Sequence, residues 1–205
     1  MKEFSIQEAL LAGWTAFKGR AGFFIVLLLL TGVLTVAPQF AIQPIQNIWL
    51  ALILGLILLI FQYFIYAGLL KIILAVNDGK EARIGDLFSG GDVFVPYLLG
   101  AILVGLIVVA GIFLLVVPGV IASVMFLFYA FFIIDKNIGP VEALKASAAL
   151  TKEVRWKLFG FMLVLGLLNI VGALLLGLGL FVTIPVSALA LAFAYRKLLP
   201  QSQFI

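Results

Sequence analysis

The sequence predicts an all-α polytopic membrane protein with six transmembrane helices and accompanying cytoplasmic amphipathic helices. Two observations carry the prediction. The first is composition: of 205 residues, 65% are hydrophobic and 11% are charged, against about 25% charge in a soluble domain. A chain this short cannot hide so much apolar surface in itself, because small domains leave a large share of their surface exposed. The second is where the charges fall. With six spans, every cation lies at or near the N-terminus, the connections between spans two and three or four and five, or the C-terminus. The other three connections carry no charge, and five or seven spans would scatter the cations over both faces.

The spans follow in order, near residues 21–37, 48–74, 94–116, 119–135, 156–176 and 180–197. The first two are close to the ~20 residues that cross a hydrocarbon core of roughly 30 Å. Residues 93–134 form one uncharged run, about twice as long as a bilayer needs at ~1.5 Å per residue. It must reverse, and Val117-Pro118-Gly119 is the expected place, since Pro cannot continue a helix interior and Gly accepts unusual dihedrals. A second long run, 158–195, is expected to reverse at Leu176-Gly177-Leu178-Gly179. Trp14, Trp156 and Tyr195 suit one interface and Trp49 the other. The charged side is predicted to be cytoplasmic, with both termini on it. No cleaved signal peptide is expected, because about twenty polar-to-amphipathic residues precede the first span, two of them acidic.

Three segments outside the spans read as helical. Residues 5–18 form an amphipathic helix whose capping box is Ser5 with Glu8. Its apolar stripe is Ile6, Leu10, Trp14 and Phe17. Such a stripe packs under a bundle or lies in the membrane interface as a recognition element, and packing is the commoner use. Residues 139–154 form a second, cytoplasmic helix, with Pro140 at its first position and Glu142 within reach of Lys145. Ala82–Phe88 reads as a shorter turn or helix. Each segment precedes an apolar hairpin, and Pro38, Pro118 and Pro185 sit near the outer turns. This layout is either three divergent helix-plus-hairpin units or three separate solutions to one topology.

Chemistry is scarce. There is no Cys and no His, which removes disulfides, thiol nucleophiles, imidazole bases and the usual zinc and haem ligands. No ionisable group falls near the middle of a span. Lys71 and Asp135 are the deepest, and both lie close to the cytoplasmic end. Gly177-Leu178-Gly179 is a lone Gly-x-Gly in an apolar turn, a hairpin device and not a phosphate cradle. The candidate intramembrane polar contacts are Gln62 and Asn169, since an amide in hydrocarbon needs a partner. Interhelical bonds of this type contribute ~0.6–2 kcal/mol. Packing within the bundle is the plainer reading, and a substrate contact is the sharper one. Ala101-x-x-x-Gly105, Ala188-x-x-x-Ala192 and Ala190-x-x-x-Ala194 allow close helix approach within the bundle or in a dimer, leaving the oligomeric state open.

The run Asp86-Leu87-Phe88-Ser89-Gly90, then Val117-Pro118-Gly119-Val120-Ile121, Glu142-Ala143-Leu144-Lys145-Ala146-Ser147, Trp156-Lys157-Leu158-Phe159 and Tyr195-Arg196-Lys197-Leu198 resembles uncharacterised bacterial six-helix membrane proteins. These include domain-of-unknown-function families and the membrane domain attached to some glycerophosphodiester phosphodiesterases. The resemblance covers roughly residues 60–198 and implies the same fold and a bacterial inner-membrane setting. It carries no phosphodiesterase activity over, because that chemistry belongs to a separate soluble domain with no counterpart here.

The expected function is therefore that of a non-enzymatic integral membrane protein: a scaffold, accessory or regulatory subunit with no cofactor and no metal. The alternative is a lipid or apolar small-molecule transport or binding module, with a cavity lined by Gln62, Asn169 and aromatics. The expected partners are membrane lipids and another membrane or cytoplasmic protein, not nucleic acid. The predicted cytoplasmic partner surface includes Glu142, Lys145 and Lys152.

Overall fold

The computed structural model describes residues 5–199. It is all-helical, with six helical segments long and apolar enough to cross a membrane. The order is α1 (Ile6–Gly19), α2 (Ala21–Ile42), α3 (Ile48–Asn77), a 3₁₀ helix (Ile84–Asp92), α4 (Phe94–Leu114), α5 (Val116–Met125), α6 (Tyr129–Lys136), α7 (Pro140–Thr151), α8 (Arg155–Leu174) and α9 (Leu180–Leu198). The spans are α2, α3, α4, the pair α5–α6, α8 and α9.

Local chemistry sets most of the boundaries. Ser5 Oγ accepts from the Glu8 amide at 3.5 Å, the first half of the expected capping box. Glu8 does not complete it: its carboxylate pairs with Lys197 Nζ at 3.0 Å, tying α1 to the end of α9. Asn47 caps α3 by accepting from the amides of Trp49 and Leu50, satisfying two of the free first-turn donors. Asn137, in the left-handed region at φ 51°, ends α6. Pro140 opens α7 as anticipated, where its missing N–H costs nothing.

The reversal between α4 and α5 falls at Leu115, an extended residue ahead of Val117-Pro118-Gly119. Pro118 sits in the first turn of α5, where no amide donor is required. The Gly119 backbone instead lies where a Cβ on Gly111 would be, 2.8 Å from its amide, so the two glycines let the hairpin arms touch. The reversal between α8 and α9 occupies 175–179 as expected, with Leu176 and Gly177 both at positive φ. Pro38 and Pro185 are accommodated inside α2 and α9.

α1 packs along α9. Its buried face is Ala9, Gly13 and Phe17, with Ile6 and Leu10 partly buried against the core and Trp14 half-exposed. A Cβ at Gly13 would stand 2.5 Å from the Val186 carbonyl oxygen, so only glycine permits the crossing. The 3₁₀ helix lies on the C-terminal half of α3, where a Cβ on Gly68 would overlap the Leu87 carbonyl. The buried core gathers around Phe128, Phe131, Phe161 and Tyr195.

Candidate functional site

The fourth span is not one helix. α5 ends at Met125, α6 begins at Tyr129, and Phe126-Leu127-Phe128 between them form turns. A break inside an apolar span frees backbone groups that lipid cannot satisfy, each at a cost of several kcal/mol. α7 supplies the partners. The Phe128 amide donates to Ser147 Oγ at 3.1 Å. The Ser147 hydroxyl donates to the Met125 carbonyl at 2.9 Å, and the Thr151 hydroxyl reaches the same carbonyl at 3.2 Å. Ser147 and Thr151 are one helical turn apart and wholly buried, so both hydroxyls face the break.

The positions of α7 divide cleanly. Ala143, Leu144, Ser147, Leu150 and Thr151 are buried. Glu142, Lys145 and, at the C-cap, Lys152 are exposed, and their three- and seven-residue spacing places them on one outward stripe. The expected partner surface is thus presented by the helix whose other face holds the broken span together.

A second polar assembly joins the ends of α3, α6 and α9. Arg196 donates from Nε to Asp78 Oδ1 at 2.8 Å and from Nη2 to Asp78 Oδ2 at 2.7 Å, the two-pronged geometry that suits a guanidinium. The same Nη2 lies 2.7 Å from Asp135 Oδ1. Tyr195 donates its hydroxyl to Asp135 Oδ2 at 3.1 Å, and Lys136 Nζ stands 3.3 Å from that oxygen. The side chains of Arg196 and Asp135 are 15% and 13% exposed, so the assembly is shielded without being dry. The Tyr195 ring is packed by Phe128, Phe131 and Phe132 at 5.2–5.8 Å. With both oxygens of each carboxylate placed against a donor or cation of the assembly, except for what water reaches, this is a clasp and not a poised acid–base pair.

A smaller pair holds the 3₁₀ helix to α3. Lys71 donates to the Ser89 carbonyl at 2.8 Å and pairs with Asp92. The Lys71 ammonium, hydrogen-bonded to Asp92, holds that carboxyl below the usual carboxylate range.

The amides singled out from sequence lie on different spans. Gln62 on α3 donates to the Tyr66 hydroxyl at 3.0 Å, one turn along its own helix. Asn169 on α8 donates to the Leu165 carbonyl at 2.9 Å and to Ser187 Oγ on α9 at 3.1 Å. It therefore ties α8 to α9, while its Oδ1 and the Thr183 hydroxyl are buried without hydrogen-bond partners among the described residues. Neither residue lines the groove between α1 and α9 or the groove between α5 and α8. Among the described residues, no three His, Cys, Asp or Glu side chains are gathered to hold a metal ion.

Comparison with known proteins places this arrangement among proteins without assigned activity. A family model described as "Domain of unknown function (DUF7847)" matches residues 93–202, just over half of the chain and the whole of α4 to α9. An uncharacterized protein of Mycobacterium bovis is 29% identical over 136 residues, covering 66% of this chain and 41% of the relative. Two uncharacterized proteins of Mycobacterium tuberculosis strains match to the same extent. The match thus spans about two fifths of the length of these relatives. Nothing in these descriptions mentions a glycerophosphodiester phosphodiesterase. No solved structure matches the chain.

Proposed function

The chain belongs to this domain-of-unknown-function family, and we propose that it acts as a non-enzymatic scaffold or accessory subunit of the bacterial inner membrane, with both termini cytoplasmic. The observation that carries the reading is the division of α7. Its inward face is used up in holding α5 and α6. Its outward face presents Glu142, Lys145 and Lys152 to whatever lies outside the bundle. Charge alternation on an exposed helix is a means of choosing a partner, since like-charged competitors are repelled. The positive-inside rule supports the orientation, because the charged connections all fall on one side of a six-span thread.

The test is affinity purification of the full chain from native bacterial membranes, with mass spectrometry of what comes along. A partner near equimolar ratio is expected, and Lys145→Glu with Lys152→Glu should reduce its recovery at least tenfold while Gln62→Leu leaves it unchanged. Recovery that ignores the charge reversal, or labelling of an N-terminal tag from outside intact cells, overturns the reading.

The second reading, a lipid or apolar small-molecule binding module, gains nothing from Gln62 and Asn169, which the fold keeps on separate spans. The groove between α5 and α8 favours it instead.

A further inference from the structure

α5 is only ten residues long, and where it lies against α8 it leaves a groove of about 500 Å³. That volume lies within the ~300–1,000 Å³ range of small-ligand sites. The walls are Val117, Val120, Ile121, Val124 and Phe159. One end is different: Arg155, the first residue of α8, lines the groove beside Trp156. Arg155 Nε is buried and has no hydrogen-bond partner among the described residues. An unpartnered guanidinium nitrogen away from water is costly and unusual, since buried polar groups are almost always paired.

The surroundings specify what would pair with it. Arg155 opens α8, and the preceding residue, Val154, gives no side-chain cap to the free amides of the first turn. Those amides and the helix dipole add positive potential at the same place. Of the charges two residues away on either side, Lys157 has the same sign and Glu153, which is exposed to solvent, the opposite. Trp156 is 86% exposed, which suits an indole at the headgroup level of a bilayer. A cation at the end of an apolar trough is complementary to an anionic head on an apolar tail.

We propose that the α5–α8 groove holds one acyl chain of an anionic glycerophospholipid, with the lipid phosphate on Arg155. A zwitterionic lipid fits less well, because its own cation is brought up to the same positive helix end. The site is independent of the scaffold reading: the outward stripe of α7 is not part of it, and either test can fail alone.

Trp156 reports on the groove directly. With Trp14→Phe and Trp49→Phe it becomes the only tryptophan of the three. The full chain is reconstituted in phosphatidylcholine vesicles containing brominated phosphatidylglycerol or, at equal mole fraction, brominated phosphatidylcholine. Half-maximal quenching is expected at about fivefold lower mole fraction of the anionic lipid, the factor equivalent to ~1 kcal/mol for one cation at an anionic surface. Arg155→Gln should abolish the preference, Arg155→Lys should keep part of it, and Val120→Phe should weaken quenching by both lipids. Equal quenching by the two lipids in the parent overturns the proposal. So does a preference that survives Arg155→Gln, which would assign it to the basic rim as a whole. Circular dichroism and the melting temperature identify any variant that fails to fold, and Val120→Phe, which keeps every charge, still tests the groove if Arg155→Gln does not.

Discussion

An 18-residue stretch of the helix Ile48–Asn77 and one of the segment Val116–Lys136 have mean hydropathies of 2.6 and 2.4, yet 6% of the first stretch is buried and 56% of the second. Apolarity decides which segments leave water. It does not decide which face lipid and which face protein, because lipid tails are as apolar as leucine. The two segments differ in their backbones. α3 runs unbroken and satisfies its own amides and carbonyls, so lipid can surround its outer half. The fourth span is interrupted at Phe126–Phe128, and its freed groups need protein around them. Burial of this span follows from the interruption as much as from its side chains.

The largest expected effect breaks that contrast. Ser147→Ala removes only the hydroxyl, but it leaves the Phe128 amide without its acceptor and takes one donor from the Met125 carbonyl. Each unsatisfied buried group costs ~1–3 kcal/mol, so a loss of about 3 kcal/mol is expected in reversible unfolding in detergent micelles. Thr151→Val removes the second donor to Met125, a hydroxyl shared with the Ser147 carbonyl at 3.0 Å, and should cost about 1 kcal/mol. If the order of the two is inverted, the Phe128 amide is not the group that matters.

How much of this could be read in the sequence depends on distance along the chain. The six spans were legible because hydropathy and charge are local sums. The reversal at 175–179 and the start of α7 were legible because Gly177 and Pro140 are local signals. The interruption was not, because Phe126-Leu127-Phe128 contains neither Gly nor Pro. What sustains it lies about twenty residues later, in two hydroxyls that read as ordinary helix positions. The one hint was that Ser147 and Thr151 stand four apart on an otherwise apolar face of α7. The clasp was hidden for the same reason. Asp78, Asp135 and Arg196 each read as a rim charge, and only the fold brings Arg196 to Asp78, 118 residues away, and to Asp135.

The clasp supplies the intermediate effect. Arg196→Gln leaves Asp78 and Asp135 facing each other without their shared cation. Breaking one partner from a fully buried pair costs ~3–5 kcal/mol. Here the groups retain some solvent access, so about 2 kcal/mol is the expected loss. It should shrink in an Asp78→Asn, Asp135→Asn background, because no carboxylates are left there to repel each other. Unfolding measured in both backgrounds checks the size and the sign. A penalty that is the same in both would show that Arg196 acts through packing on Tyr195 and not through charge.

The smallest expected effect tests the other side of the contrast. Leu56 lies on the exposed part of α3. If lipid covers that surface, Leu56 is in an apolar medium both in the folded bundle and in an inserted, unassociated helix. Leu56→Ala then changes the two states alike and should shift stability by less than about 0.5 kcal/mol, as surface substitutions do. A residue that packs on protein gives a different answer, because its contacts exist only in the folded state. A loss at Leu56 of 2 kcal/mol or more would therefore mean that the outer half of α3 is covered by another protein, and it would make span two an interface comparable to the buried wall of span four.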